Sequence, residues 1–282
     1  MTIGKGPAKL AGAALMALFL AGCGGGESVE RGNINYENFT AKQIFERGEF
    51  DLERDKPKLA AQSFAEVERL YPYSAFTKRA VIMQAFAHHR DRNYEESRSA
   101  AQRYIDFYPT DEDAAYAQYL LALSYYDQID EIGRDQKLTF QALQALREVI
   151  ERYPESQYAN AARLKFDLAY DHLASKEMEI GRYYLKRDNF AAAASRFRVV
   201  IEDFQTTTHT AEALHRLVES YLTLGLVDEA RTAGAILGHN FGSTEWYEDS
   251  YALLTGQGLT LEPAGENWLR EVYRQTVLGR WL

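Results

Sequence analysis

Three tripeptides punctuate the chain: Leu70-Tyr71-Pro72, Phe107-Tyr108-Pro109 and Arg152-Tyr153-Pro154, with Asp203-Phe204-Gln205 as a degenerate fourth copy. Each closes a stretch whose apolar residues recur at helical spacing, and proline there stops one helix before the next begins. Pro72, Pro109, Pro154 and Gln205 follow one another at 37, 45 and 51 residues. These intervals point to a unit of about 34 residues carrying insertions, the period of tetratricopeptide-like helix pairs.

Internal positions agree with that unit. Two antiparallel helices approach to about 8–10 Å only where side chains permit, so each pair needs small residues at its closest contact. The first unit offers Gly48 and Ala60 with Phe64 following, and the second Ala85 with Tyr94 opening its next helix. The third offers Ala122, Tyr125, Ala142, Leu146 and Val149, with residues 130–135 forming a longer loop between its helices. The fourth has Gly181, Tyr184, Ala193, Phe197 and Val200, preceded by a stretch from about Ser156 that lacks glycine and proline until Gly181 and predicts one unusually long helix. The fifth has Leu214, Leu217, Tyr221, Gly225, Ala230 and Leu237.

No segment alternates with the period of a strand. The expected fold is all-α, a tetratricopeptide-like solenoid of about five helix pairs over residues 39–243. Its inner surface is formed by the first helix of each pair. Residues 244–282 read as a capping helix at 245–254, a loop, and an amphipathic helix from Asn267 carrying Trp268, Leu269, Val272, Tyr273, Val277, Leu278 and Trp281. Solenoids need such caps to cover the terminal apolar face. A tail that reaches a partner is the alternative.

The N-terminal residues have the parts of an export leader: Lys5 and Lys9, an apolar core from Leu10 to Ala21, and small residues before Cys23, the only cysteine. That core is shorter than the roughly 20 apolar residues a membrane span requires. Leu20-Ala21-Gly22-Cys23 resembles the bacterial lipobox. The motif implies removal of residues 1–22 and S-diacylglycerol and N-acyl groups on Cys23, which hold a protein at a membrane without crossing it. An ordinary leader with an incidental cysteine is the alternative. Residues 23–38 read as a lipidated flexible tether. The fifteen residues after Cys23 reach at most about 50 Å and typically span about 20 Å.

Composition narrows the function. Loss of a leader with two lysines and no acid takes the formal charge from -9 to -11, which disfavours nucleic acid and anionic lipid as electrostatic partners. The adjacent His88 and His89 face different ways on a helix, and His172, His209, His215 and His239 lack metal-ligand spacing. There is no phosphate loop or Gly-x-Ser-x-Gly motif, and no further cysteine for nucleophilic work. No catalytic residue, metal or dissociable cofactor is expected, and the chain reads as a binding protein.

On the inner face the expected groove residues are Phe45 of the first unit, Arg79, Phe86 and Arg90 of the second, and Tyr116, Tyr119 and Tyr126 of the third. Aromatic rings with interspersed arginines suit a peptide that offers apolar side chains and a free carboxylate. With 19 tyrosines in the chain, some of these rings serve equally well as interhelical core.

Lipobox, tether and repeats together, with Tyr71-Pro72-Tyr73-Ser74, the run Arg152-Tyr153-Pro154-Glu155-Ser156-Gln157-Tyr158 and Arg182-Tyr183-Tyr184, resemble the BamD family. These are the outer-membrane lipoproteins of the β-barrel assembly (BAM) machinery. The likeness covers roughly residues 41–237, and the tail past Ser243 is longer than that pattern.

The resemblance implies a non-catalytic scaffold, lipid-anchored in the periplasmic leaflet of a Gram-negative outer membrane. Its partners would be a periplasmic POTRA domain of BamA, other BAM lipoproteins, and unfolded β-barrel proteins whose C-terminal strands end in an aromatic residue. It implies docking on BamA in the region of Tyr183, Tyr184, Arg187 and Arg196, and no nucleic-acid partner. Gly24, where an aspartate would favour inner-membrane retention, agrees with outer-membrane sorting. Two other readings stay open: a periplasmic scaffold coordinating cell-wall synthesis with envelope constriction, and an enzyme-associated envelope lipoprotein.

Overall fold

In the computed structural model of the chain, residues 35–129, 135–265 and 267–276 are described. They belong to two units, Met1–Asn38 and Phe39–Leu282. The described part of the first is a single 3-10 turn, Tyr36–Asn38, with the Asn35 side chain accepting from the Glu37 amide. The leader, the lipobox and most of the tether lie outside the described residues. So do residues 130–134 of the expected loop and Val277, Leu278 and Trp281 of the tail.

The described residues of the second unit form helices and no strand, as the sequence predicts. In order these are α1 (Ala41–Glu53), α2 (Pro57–Leu70), α3 (Thr77–Arg90), α4 (Tyr94–Phe107), α5 (Ala114–Tyr126) and α6 (Lys137–Arg152). They continue as α7 (Ala159–Leu185), α8 (Phe190–Asp203), α9 (Thr210–Leu224), α10 (Val227–Phe241), α11 (Glu245–Gly256) and α12 (Trp268–Thr276). The stack opens on a capping box. Thr40 Oγ1 accepts from the Gln43 amide, and Gln43 Oε1 accepts from the Thr40 amide at 2.9 Å.

Two kinds of turn then alternate. Within pairs, Asp55, Arg92, Asp188 and Gly225 take the left-handed conformation, with φ of 55°, 59°, 57° and 75°. Each following amide reaches back across the helix end: Lys56 N to Asp51 O, Asn93 N to His88 O, Asn189 N to Tyr184 O and Leu226 N to Tyr221 O, at 2.8–3.1 Å. These are Schellman closures, which satisfy helix-end carbonyls. Between pairs, Tyr71, Tyr108, Tyr153 and Phe204 end their helices at φ near -130°. Their carbonyls accept from the amides of Ser74, Asp111, Ser156 and Thr207. The fourth turn thus keeps the backbone of the other three although glutamine replaces proline.

Side-chain volume is balanced across the pair contact. Seven residues before each left-handed position stand Gly48, Ala85, Gly181 and Val218; nine after it stand Phe64, Ala101, Phe197 and Gly234. In the first and fourth pairs glycine meets phenylalanine, whereas the second has alanine at both positions and the fifth has valine before and glycine after. Gly234 there makes room for the next element, since a Cβ at 234 would lie 2.6 Å from Leu254 Cδ1 of α11.

Every helix from α1 to α10 packs against the next, and first helices also touch in series, α1 with α3, α3 with α5 and α5 with α7. The expected long helix is α7, of 27 residues. Its Ala162 joins the core built on α3–α6, and its Ala169, Leu173, Ala174 and Met178 join the core that continues to α12. Tyr126 and Phe166 pack against both.

The C-terminal extension is a cap over its described length. Helix α11 lies on α9 and α10, and α12 lies on α10. Leu254, Leu269 and Val272 are buried, Trp268 Nε1 donates to Tyr221 Oη at 3.2 Å, and the Arg198 guanidinium stands 4.6 Å from the Trp268 ring centre.

Candidate functional site

Three rings meet where α5 passes the start of α7. Tyr158 immediately precedes α7, and its ring stacks on Tyr116 at 5.2 Å and on Tyr119 at 5.4 Å, with interplanar angles of 29° and 25°. Burial pushes the Tyr116 hydroxyl up to about 12, helped by Tyr158 and Asp113, and burial also raises Tyr119 and Tyr126. All three are neutral hydrogen-bonding phenols at physiological pH. Lys165 Nζ stands 4.3 Å from the Tyr126 ring centre. Further along α7, Phe166 stacks on Tyr170 at 5.8 Å, and the Arg147 guanidinium lies 5.5 Å from the Phe166 ring centre. Half-buried rings flanked by cations in this way can hold an apolar side chain and an adjacent carboxylate.

The other groove residues are placed differently. Phe45 is not an open wall, because only 1% of it is exposed. Its ring is enclosed by Phe64 at 5.3 Å and Phe76 at 5.5 Å, and Arg79 lies over it at 5.1 Å. Phe76 does to Phe45 what Tyr158 does to Tyr119, and the two enclosing rings share one place in the turn motif, five residues after Tyr71 and Tyr153. The tight Phe64 contact makes the first copy core, whereas the second keeps its rings half-exposed. Arg79 is exposed and pairs with Glu49 at 3.0 Å. Phe86 packs on the α3–α6 core. Arg90 is drawn out of the groove to the end of α1, where it binds Leu52 O and pairs with Asp55 at 2.8 Å.

Sequence reasoning therefore missed Tyr158, Phe166 and Tyr170 as surface rings. For Tyr158 the signal was present in the shared motif Tyr-Pro-x-Ser-x-aromatic.

A second surface lies at the other end of α7. Tyr183 is half-exposed, meets Tyr184 edge-on at 5.6 Å, and carries the Arg187 guanidinium 3.7 Å from its ring centre. Tyr184 is turned into the core. Arg196, on α8, pairs with Glu177 at 3.1 Å. Neither Lys186 nor Arg187 pairs with a carboxylate among the described residues.

Beside them opens a cleft of about 530 Å³, lined by Leu185, Lys186, Phe190, Arg216, Leu222 and Leu253 among others. Arg216 and Glu219 in its lining belong to a wider network of paired charges. Arg182 binds Glu212 through two nitrogens at 3.1 and 3.2 Å, Arg216 binds Glu219 at 2.7 Å, and buried His215 meets Ser250 Oγ at 2.8 Å. Burial opposes ionisation of Glu219, but His215 and Arg216 outweigh it and bring the carboxyl down to about 2.

Among the described residues no cluster of histidine, cysteine and acidic side chains could hold a metal ion, and no helix is long and apolar enough to cross a membrane.

The family model described as YfiO, outer membrane lipoprotein, matches residues 37–236. A Caulobacter vibrioides protein called outer membrane protein assembly factor BamD is 46% identical over 253 residues, covering 90% of this chain and 82% of the relative. Proteins of the same designation from Rickettsia prowazekii and Neisseria meningitidis serogroup A are 42% and 25% identical. They cover 75% and 80% of this chain, and 84% and 88% of their own lengths.

Proposed function

The chain belongs to the YfiO/BamD family of outer membrane lipoproteins, and on that premise we propose that it serves outer-membrane protein assembly as a scaffold without chemistry of its own. Lipid on Cys23 holds it at the periplasmic leaflet of the outer membrane. The N-terminal helix pairs receive the C-terminal segment of an unfolded β-barrel protein, and the region around Tyr183 and Arg187 docks on a POTRA domain of BamA, with other BAM lipoproteins joining the complex.

The observation that carries this reading is that one helix bears both surfaces. Tyr158 precedes the first turn of α7 and Tyr183 lies in its last. At the rise of an α-helix, 25 residues separate them by about 38 Å along one rigid rod. A substrate terminus held at one end stays near whatever is bound at the other, which raises its local concentration there. Mixed surfaces of rings and guanidinium groups are also the chemistry in which interface binding energy concentrates.

Affinity purification of the lipidated protein from detergent-solubilised membranes is the direct test. BamA as the dominant partner supports the reading; a cell-wall synthase in its place overturns it. In parallel, Cys23→Ser should release the protein into the soluble periplasmic fraction.

A further inference from the structure

In three units of the stack the same register meets an aromatic ring. Phe45, Tyr119 and His215 each stand three residues before the pair-contact position of their unit, Gly48, Ala122 and Val218. Against them lie Phe76 at 5.5 Å, Tyr158 at 5.4 Å and Trp246 at 5.4 Å between ring centres, each supplied by the segment that follows the helix pair. Phe45 and His215 are buried and Tyr119 is half-buried. An aromatic ring from the following segment is thus the fold's own cover for this register.

The first turns of α7 carry that register without a cover. Tyr119 lies eleven residues after Tyr108 of its turn motif, as Ile82 does after Tyr71, and eleven after Tyr153 stands Leu164. Ile82 is buried, but Leu164 is 62% exposed and Leu168, one turn on, is 53% exposed. The length of α7 accounts for the difference, because the turn that follows α8 meets α7 only beyond them. Tyr170 Oη donates to Asp203 O, the Phe204 ring centre lies 4.9 Å from that of Tyr170, and the Thr208 amide donates to Asp171 Oδ1 at 3.0 Å. Three residues after Leu164, where the first three units have Gly48, Ala85 and Ala122, stands the exposed Asp167, so no second helix is packed on this face of α7.

We propose that Leu164 and Leu168 form an open seat for an aromatic side chain of the unfolded chain that the inner face receives. The incoming ring takes the place that Phe76, Tyr158 and Trp246 fill elsewhere in the fold. The inference rests on the substrate-receiving face proposed above and extends it from the N-terminal pairs onto α7. Residues four apart on a helix stand about 5–6 Å apart at Cβ, so both leucines reach one ring. The seat selects a ring and not a charge: Arg163 binds Asn160 Oδ1 at 2.9 Å, and Lys165 Nζ lies 4.3 Å from the Tyr126 ring centre. Leu164 follows Tyr158 by six residues, about 9 Å along the helix axis, a distance that one extended segment spans in about three residues.

Leucine-methyl NMR of the full mature chain carrying Cys23→Ser tests the seat, because a ring laid on a methyl group shifts its signal upfield. The probe is a short peptide of alternating valine and serine that ends in phenylalanine, with an alanine-ended peptide as control. The phenylalanine peptide should shift the Leu164 and Leu168 methyls upfield and saturably, and the alanine peptide should not. Leu164→Asp should weaken binding several-fold with an unchanged thermal midpoint, since the side chain is exposed. Shifts confined to leucines beside Tyr119, such as Leu120 and Leu123, overturn the seat while leaving the substrate-receiving face intact. No shift at either place overturns both. Equal shifts from the alanine peptide, or shifts that follow protein concentration with no peptide present, also overturn the seat.

Discussion

A Cβ added to Gly181 would lie 2.4 Å from the ring of Phe197, and the relation recurs at 2.6 Å between Gly48 and Phe64. Both rings are fully buried. In an exposed helix interior, glycine to alanine gains about 0.5–1 kcal/mol, whereas overpacking a filled core costs about 1–3 kcal/mol. Gly181→Ala should therefore lower stability, read as the urea midpoint, and adding Phe197→Leu should recover part of the loss. A stabilised single variant would mean that the pair contact is looser than this geometry.

Arg92 occupies a left-handed position, its side chain exposed. The conformation costs a side-chain-bearing residue about 1–2 kcal/mol, so Arg92→Gly should raise the thermal midpoint. Asp55→Gly should gain less, because Asp55 gives up its pair with Arg90. Surface pairs contribute about 0–1 kcal/mol. Scanning calorimetry of the two variants tests the order.

Glu219 titrates near 2 in the fold against an ordinary 4.5. A depressed folded value adds stability that is fully present above the unfolded value and disappears as pH falls through the folded one. Wild type should thus exceed Glu219→Gln in stability at neutral pH, with the difference shrinking between 4.5 and about 2. Denaturant midpoints across that window would show a constant gap if the carboxylate's ionisation were immaterial.

Tyr183 and Arg187 lie on the surface, with the guanidinium over the ring. Tyr183→Ala with Arg187→Glu should change stability by no more than about 0.5 kcal/mol yet reduce recovery of BamA in purification. Loss of recovery with an intact thermal midpoint separates docking from folding.

The repeat was legible because its signals are local. Tyr-Pro stops, small residues at the pair contact and the uninterrupted run into Gly181 each act within one or two turns, and α7 and the four inter-pair turns follow. Phe204 shows how far this extends, since its turn keeps the backbone geometry without proline.

Exposure was less legible, because it depends on the next unit. Phe45 and Tyr119 occupy the same register, three residues before Gly48 and Ala122, and both meet a turn aromatic. Only Phe45 is also packed against a phenylalanine that fills the space opposite a glycine. Arg90 likewise has the helical phase of a groove residue but is captured by a carbonyl and a carboxylate 35–38 residues away. Such long-range partners leave no trace in the periodicity of the helix that bears them.

Photocrosslinking in intact cells tests the division between the two ends of α7 most directly, with the crosslinker placed in turn at Tyr119 and at Arg196. Adducts from position 119 should contain the C-terminal segments of unfolded β-barrel proteins, and adducts from position 196 should contain BamA. Substrate C-termini captured only from position 196 would contradict the two-ended scaffold.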